Sequence, residues 1–311
     1  MKTIIALLFM LVLLVGAVSA ADGDYVATVN FDTKCQSGIG VGIAFDGENL
    51  WYSCVNSDPD LFRANPVTGA VTASYNIAGG LGALSYDAGR NAIWAGYDDS
   101  SHTIRLIQLD ADKNVTGTST AFTASIGGID LLDGIAYDAE DDSLYLSSDV
   151  SSTIYHLESD GDLITNFGVA PGSTCGNSGL AVGGQLLYEG FNGCNQVIVV
   201  DKSTPGIAEF DFATGQAEDP TFRDEDLECD TNTFAGQGLQ VMWSVEAYDD
   251  NRVNGDGERR ALAFEIPTGS CGIGGEPAPP PDNVIPEFAG IGLALAAAGA
   301  GAVVFFARKR K

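Results

Sequence analysis

Basic side chains are scarce in this chain. Lys and Arg together number 15 against 42 Asp and Glu, which leaves a formal net charge of −27 at pH 7. A surface of that charge repels nucleic acid and anionic lipid, so we expect no nucleic-acid partner. The same surface attracts cations, and it suits a saline or S-layer-like setting.

Catalytic signatures are also missing. The only two histidines are His102 and His156, and neither has a nucleophile or an orienting partner at a recognisable spacing. The sequence contains no G-x-S-x-G, no H-E-x-x-H and no phosphate-binding loop. A non-enzymatic role is therefore favoured, although an enzyme remains the alternative.

The N-terminus is typical of a secretory signal peptide. Lys2 supplies the positive charge, an apolar run extends from Ile4 to Val18, and small residues end the segment at Ala20. We interpret residues 1–20 as the signal peptide. All six cysteines lie beyond it, and no C-x-x-C occurs, so an oxidising compartment predicts disulfides rather than a zinc site.

Long helical periodicity is absent before the C-terminal tail, and short alternating strands fill the chain instead. Five units of this kind begin at Gly42, Ala83, Gly134, Gly179 and Asp226, spaced 41–51 residues apart. That spacing is typical of four-stranded propeller blades.

The fifth unit lacks its last strand because the chain after Ile266 is rich in Gly and Pro. A suitable strand, Asp24 to Phe31, precedes the first unit. Paired with the segment starting at Ala261, it would close the ring and remove the open sheet edges. We predict an all-β domain over 24–271, a five-bladed β-propeller with six blades as the alternative, followed by a linker over 272–285.

The units resemble the propellers of the NHL, YVTN and gluconolactonase-like group, through their "GIAYD"-type first strands and "TG" turns. This resemblance is one of fold. Such propellers include hydrolases, lyases, lectins and scaffolds, so the fold alone does not assign a function.

The tail carries a more specific resemblance. Pro286, Glu287 and Phe288 precede a mostly apolar run over 289–307 and a basic end, "RKRK". This order resembles the archaeal PEF-CTERM sorting signal, which implies an archaeosortase-type processing enzyme as partner and a cell-surface location. The alternative is a simple membrane anchor, since a run of this length can span a bilayer as a transmembrane helix.

Enzymes with this fold place their functional groups where first strands begin, at the top of the central channel. Asp133 and Asp226 each stand at such a position, and Asn177 stands near a third. Oxygen ligands suit Ca²⁺, so we predict a Ca²⁺ site centred on Asp133 and Asp226. The competing interpretation is that these aspartates stabilise turns.

Strand positions also predict the disulfides. Cys175 and Cys194 fall opposite each other across one hairpin, and Cys35 and Cys54 bracket the equivalent hairpin of the first unit. Cys229 and Cys271 both lie at the bottom of the last blade. Separately, Asn114 begins an N-glycosylation sequon, Asn-Val-Thr, in a turn between two strands.

These features predict an exported propeller displayed at the cell surface, working in binding, adhesion or envelope structure on an unknown ligand. The alternative is a secreted metal-dependent hydrolase or lactonase on the same fold.

Overall fold

The computed structural model places every residue that it describes within one unit, Met1–Glu276. It describes residues 23–31, 35, 39–55, 57–77, 80–97, 102–124, 126, 132–214, 223–246 and 260–271. The expected signal peptide, the linker and the sorting tail lie outside these ranges. Across the described residues, no helix is long and apolar enough to cross a membrane.

Within the described residues, twenty strands form five antiparallel four-stranded sheets, which confirms the five-bladed propeller. Blades 1 to 4 each use four consecutive strands, numbered outward from the channel. In chain order they are β2 (Ile39–Phe45), β3 (Leu50–Val55), β4 (Leu61–Ala64) and β5 (Val71–Tyr75); β6 (Leu81–Asp87), β7 (Ala92–Tyr97), β8 (Thr103–Leu109) and β9 (Val115–Thr123); β10 (Gly134–Asp138), β11 (Ser143–Ser147), β12 (Thr153–Glu158) and β13 (Leu163–Gly168); β14 (Asn177–Gly183), β15 (Leu186–Phe191), β16 (Gln196–Asp201) and β17 (Ala208–Ala213).

Blade 5 combines the two ends of the domain. Its strands are β18 (Leu227–Asp230), β19 (Gln240–Glu246), β20 (Arg260–Ile266) and, outermost, the N-terminal strand β1 (Tyr25–Asn30). The β1–β20 register pairs Tyr25 with Phe264 and Asn30 with Arg260. A single turn of 3-10 helix, Ala235–Gln237, links β18 to β19. The predicted ring closure by the N-terminal strand is therefore confirmed.

Five apolar clusters fill the junctions between neighbouring blades. Trp51 of blade 1 packs with Leu84 of blade 2, for example, and Phe45 of blade 1 packs with Trp243 of blade 5. Inner strands are almost wholly buried, whereas the outer strands are largely exposed. Each blade alone would leave one face uncovered, so the ring is stable only when closed.

Aspartates at the ends of inner strands stabilise the turns that follow. The Asp46 carboxylate accepts backbone N–H bonds from Glu48 and Asn49, and Trp51 Nε1 donates to it at 2.7 Å. Asp230 repeats the arrangement, and Trp243 Nε1 donates to it at 3.0 Å. Asp46 and Asp230 therefore stabilise turns through the backbone.

Two of the few basic residues, Arg90 and Lys202, link neighbouring blades. Arg90 of blade 2 contacts both carboxylate oxygens of Asp142 in blade 3, at 2.6 and 2.8 Å. Lys202 of blade 4 contacts Asp138 and, at 2.9 Å, Glu140 of blade 3. These two basic side chains therefore stabilise the contacts between blades.

Four blades have a small residue four positions before a shared point at the end of the inner strand, which is Asp46, Asp87, Asp138, Gly183 or Asp230. Gly42, Ala83, Gly134 and Gly179 occupy this position, and Asp226 occupies it in blade 5. A Cβ on Gly42 would come within 2.2 Å of the Gly82 carbonyl oxygen, and one on Gly134 within 2.1 Å of the Ser178 carbonyl oxygen. At Gly42 and Gly134, the adjacent inner strands therefore approach too closely for a side chain.

Candidate functional site

The structure describes the three residues that the sequence placed at the top of the channel, whereas residues 98–101, 129–131, 222 and 248–259 lie outside the described ranges. Asp133, Asn177 and Asp226 are described, and all three are buried. The site is therefore built from the tops of blades 3, 4 and 5.

A polar cluster, named here the rim cluster, joins these three blades. It consists of Asp133, Asp149, Ser178, Asn192 and Glu225. Ser178 Oγ donates to Glu225 Oε2 at 2.8 Å, and Asn192 Nδ2 donates to Glu225 Oε1 at 2.9 Å. Asn192 Nδ2 also lies 3.3 Å from Asp149 Oδ2, and the Asp149 backbone N–H donates to Asp133 Oδ2 at 2.9 Å.

The strand ends explain why these residues meet. Asp133 directly precedes the inner strand β10, and Glu225 lies two residues before the inner strand β18. Ser178 is the second residue of β14. Asp149 and Asn192 follow the second strands β11 and β15. In a propeller both kinds of position face the same end of the channel, so five residues distant in sequence converge.

Electrostatics make Glu225 the distinctive member of the cluster. Burial, against the lowering effect of the Ser178 hydrogen bond, raises the pKa of its carboxyl to about 8; the carboxylates of Asp133 and Asp149 contribute to the rise, and Arg223 opposes it. A buried carboxyl that titrates near neutrality can hold or release a proton, which is the property of a general acid or of a site that accepts a cation.

Asp226 lies one residue further along but points elsewhere. Its Oδ2 accepts the backbone N–H of Ile43 in blade 1 at 2.9 Å and that of Leu84 in blade 2 at 2.8 Å. Burial raises the pKa of Asp226 well above its usual range, although these amides lower it. The structure thus brings Asp133 together with Glu225, while Asp226 bridges three inner strands.

The predicted Ca²⁺ site stays a prediction. Within the part of the chain that the structure describes, no group of three or more His, Cys, Asp or Glu side chains has the arrangement of a metal site. Sequence reasoning named Glu225 among the acidic residues of the top face but missed Asp149 and Asn192. The available signal was their place directly after second strands, at the same end of the channel as Asp133.

His156 lies away from the rim cluster. It stacks on Tyr145 with ring centroids 4.1 Å apart, and its Nε2 is 2.6 Å from Ser143 Oγ. Burial lowers the pKa of His156, against the raising effect of Asp141 and Asp138. His156 therefore belongs to a sheet face of blade 3. His102, in the loop before β8, has a positive φ of 49°.

Three disulfides are present, and they are the three predicted pairs: Cys35–Cys54, Cys175–Cys194 and Cys229–Cys271. Their Cα–Cα separations of 5.4, 5.9 and 5.6 Å fit ordinary disulfides. Three disulfides indicate a chain that folds in an oxidising, extracellular or secretory compartment.

The Cys175–Cys194 bridge also supports the rim cluster. It joins the segment before β14 to the turn after β15, where the Asn192 backbone N–H donates to the Gly176 carbonyl oxygen at 2.9 Å. Gly176 in turn packs against the Asp149 backbone so closely that a Cβ would lie 2.1 Å from the Asp149 carbonyl oxygen. The bridge therefore holds the two loops that carry Asn192 and Asp149.

The sequon asparagine is half-buried. Asn114 Nδ2 donates to the Asp110 carboxylate at 3.2 and 3.3 Å, within the turn that connects β8 and β9. A glycosylating enzyme would have to break these contacts to reach the amide. Modification of Asn114 stays a prediction.

Comparison with known proteins shows likeness in fold alone. No family model matches the chain, and no curated protein matches its sequence. Among solved structures, glutaminyl cyclase from Myxococcus xanthus superposes with a TM-score of 0.53 at 12% identity, covering 79% of this chain and 97% of that one.

Two further structures are similar at lower scores. A luciferin-regenerating enzyme gives a TM-score of 0.49 at 10% identity over 80% of this chain and 98% of that one. The PQQ-bound aldose sugar dehydrogenase from Streptomyces coelicolor gives 0.48 at 13% identity over 78% and 98%. At 12% identity, the likeness to the glutaminyl cyclase shows the fold alone and assigns no activity.

Proposed function

We propose that this chain is an exported propeller displayed at the cell surface, where it acts in binding, adhesion or envelope structure without catalysing a reaction. The observation that carries the proposal is the use of the top-face carboxylates. Asp133 and Asp226 accept backbone amides, and Glu225 accepts hydrogen bonds from Ser178 and Asn192. Such groups stabilise the fold, and His156 lies in the middle of β12, away from them.

Surface attachment rests on the tail. A PEF-type motif, an apolar run and a basic end support processing by an archaeosortase-type enzyme and transfer to a membrane anchor. Intact-mass measurement of native protein tests this. We expect a chain without Met1 to Ala20 and without the segment after the motif. A mass that retained Arg308 to Lys311 would replace sorting with a simple transmembrane anchor.

Surface display has its own test. Intact cells treated with an impermeant amine- or carboxyl-reactive label should yield labelled protein, while a cytoplasmic marker stays unlabelled. Equal protection of both proteins would remove the surface location from the proposal.

A secreted metal-dependent hydrolase or lactonase is the second candidate. The observation that favours it is Glu225, a buried acid with a pKa of about 8 beside two further carboxylates. Glu225→Gln keeps the size and one acceptor while removing the titrating proton. Metal-dependent hydrolysis of a lactone or ester panel that disappears in Glu225→Gln would make the enzyme the better assignment.

Calcium binding at Asp133 and Asp226 is proposed as a stabilising rather than a catalytic event. A bound ion would raise the melting temperature by mass action. The comparison is the parent chain against Asp133→Asn with Asp226→Asn, titrated with Ca²⁺ at constant ionic strength. A parent chain whose melting temperature responds no more to Ca²⁺ than to matched NaCl has no such site.

A further inference from the structure

The three disulfides differ in how much solvent reaches them. The four cysteines of Cys35–Cys54 and Cys229–Cys271 are at most 3% exposed. Cys175 and Cys194 are half-buried instead, at the margin of the apolar cluster between blades 3 and 4. A thiolate can attack only a sulfur that it can reach, so exposure decides which bridge exchanges first in the folded chain. Of the three bridges, Cys175–Cys194 is the accessible one.

The turn that carries Cys194 is uncrowded. The Cys194 backbone N–H donates to the Phe191 carbonyl oxygen at 3.1 Å, and Gly193 takes a positive φ of 79°. A Cβ added to Gly193 would meet no described atom within 4 Å. On the other side, Oγ1 of the exposed Thr174 lies 4.0 Å from Cys194 Sγ. A small molecule can therefore approach this bridge without unfolding the blade.

Opening the bridge would act on the rim cluster. Asn192, two residues before Cys194, donates its backbone N–H to the carbonyl oxygen of Gly176, the residue after Cys175, at 2.9 Å. The side-chain amide of Asn192 in turn donates to Glu225 Oε1 at 2.9 Å. Without the disulfide, the two segments are held here by hydrogen bonds alone. The redox state of the bridge therefore sets how firmly Asn192 is held in the rim cluster.

Charge determines which thiols react fastest. The attacking species in disulfide exchange is a thiolate, which is itself negative. Asn192 contacts the carboxyl groups of Asp149 and Glu225 beside the bridge, and the whole chain has a net charge of −27. This field repels a thiolate that carries a further negative charge and attracts one that carries an ammonium group. The reagent that fits is a small aminothiol rather than an acidic thiol.

We propose that Cys175–Cys194 is a site of reversible exchange with small aminothiols, and that this exchange loosens the rim cluster. The incoming thiolate bonds to one sulfur of the bridge, and the other sulfur leaves as a thiolate and takes up a proton from water. A second aminothiol displaces the first, which leaves two cysteine thiols and one small disulfide. This inference rests on the proposed export, because only an exported chain meets thiols outside the cell.

Selectivity is tested on the full chain as processed by the cell, in one mild detergent. The protein is treated with cysteamine or with 2-mercaptoethanesulfonate at equal thiolate concentration, alkylated with iodoacetamide and mapped by mass spectrometry. We expect Cys175 and Cys194 to be alkylated at least about tenfold faster than the other four cysteines, because those are buried. Cysteamine should be favoured most at low NaCl, and its advantage should shrink as salt screens the acidic field.

The effect on the rim cluster is measured by amide hydrogen exchange. In the cysteamine-reduced parent, exchange of the Asn192 amide should be faster by about tenfold or more, because local opening needs no broken covalent link. The Ile43 amide, which donates to Asp226 Oδ2 at 2.9 Å in another part of the ring, is the internal control and should be unchanged.

Two double variants separate this bridge from disulfides in general. Cys175→Ser with Cys194→Ser should show fast Asn192 exchange with or without cysteamine. Cys35→Ser with Cys54→Ser removes a bridge with the same sequence separation of 19 residues and should leave Asn192 exchange slow until cysteamine is added. Thermal unfolding checks that both variants are folded, and the oxidised and reduced parent can be compared without either.

Several results would overturn the inference. They are equal alkylation of all six cysteines, a rate ratio between the two thiols that NaCl does not change, and reduction that leaves Asn192 exchange as slow as before. A surface-labelled protein with any of these results would lose this inference alone. Selective reduction of a protein that cells keep inside would instead remove the proposed function.

Discussion

Blade 5 and the other four blades solve the same packing problem with different residues. Blades 1 to 4 place Gly or Ala next to the neighbouring inner strand, whereas blade 5 places Asp226 there. Two residues further along the inner strand, blade 5 has Glu228, and the other blades have Ala44, Ser85, Ala136 and Ala181. Four junctions close by direct contact between backbones, and the fifth closes around carboxylates.

This difference falls where the ring is joined. Blade 5 also contains the only sheet made from both ends of the domain, because β1 completes it. Asp226 reaches from β18 to amides of β2 and β6, so one side chain connects blades 5, 1 and 2. Closure of the ring therefore depends on two features of blade 5, which are the N-terminal strand β1 at its outer edge and the buried carboxyl groups at its inner strand.

Removing the N-terminal strand β1 should have the largest effect on stability. Deletion of Asp24 to Phe31 exposes the β20 edge and takes Val29 and Phe31 out of the core between blades 5 and 1. Each buried large side chain contributes roughly 1.5–3 kcal/mol, and an open sheet edge adds to the loss. We expect a chain that aggregates or melts far below the parent, measured by circular dichroism. An unchanged melting temperature would show that the ring closes without β1.

Removing the buried carboxyl group of Asp226 should have the next largest effect on stability. Asp226→Ala leaves the buried amides of Ile43 and Leu84 without an acceptor, and an orphaned buried group costs about 1–3 kcal/mol. We expect a loss of roughly 2–5 kcal/mol in the free energy of unfolding, from urea denaturation. Asp226→Asn retains a carbonyl oxygen and should recover most of it. Equal losses in the two variants would mean that the carboxylate charge, rather than its acceptor role, stabilises the junction.

Disulfides allow blade 5 to be compared with blades 1 and 4. Cys229–Cys271 closes a span of 42 residues, and Cys35–Cys54 and Cys175–Cys194 each close 19. Loop-closure entropy predicts about 4 kcal/mol for the longer span and about 3 kcal/mol for the shorter ones. Paired Cys→Ser variants should therefore lower stability most in blade 5. A larger loss for Cys175–Cys194 would indicate that its support of the rim cluster outweighs loop length.

Much of this architecture was accessible from the sequence. Strand alternation and a repeat of 41–51 residues predicted five blades, and the missing fourth strand after Ile266 predicted closure by β1. The disulfide pairs followed from hairpin register. Those features depend on local pattern and chain connectivity, which a sequence displays directly.

The surroundings of the acidic run Asp224 to Glu228 were not accessible in the same way. Four carboxylates in five residues are typical of an exposed loop, yet Asp224, Glu225 and Asp226 are each at most 4% exposed. Whether such a group is buried depends on amides donated by blades 1 and 2, over 140 residues away. Contacts of that range come from ring closure, and periodicity does not report them.

The smallest expected effect is a change in the pH dependence of stability. Burial raises the pKa of Glu228 to about 8 and that of Asp224 to about 7. A carboxyl whose pKa is higher in the folded chain binds more protons when folded. Its contribution to the free energy of unfolding is complete below the unfolded pKa of about 4, declines as pH rises and is absent above about pH 8.

Glu228→Gln removes one such group, so the slope of unfolding free energy between about pH 5 and about pH 8 should flatten by up to about 1.4 kcal/mol per pH unit. Glu48→Gln, an exposed turn residue, is the matched control and should leave the slope unchanged. Urea titrations at several pH values measure both, and equal slopes in the parent and Glu228→Gln would mean that the acid of blade 5 stays ionised inside the ring.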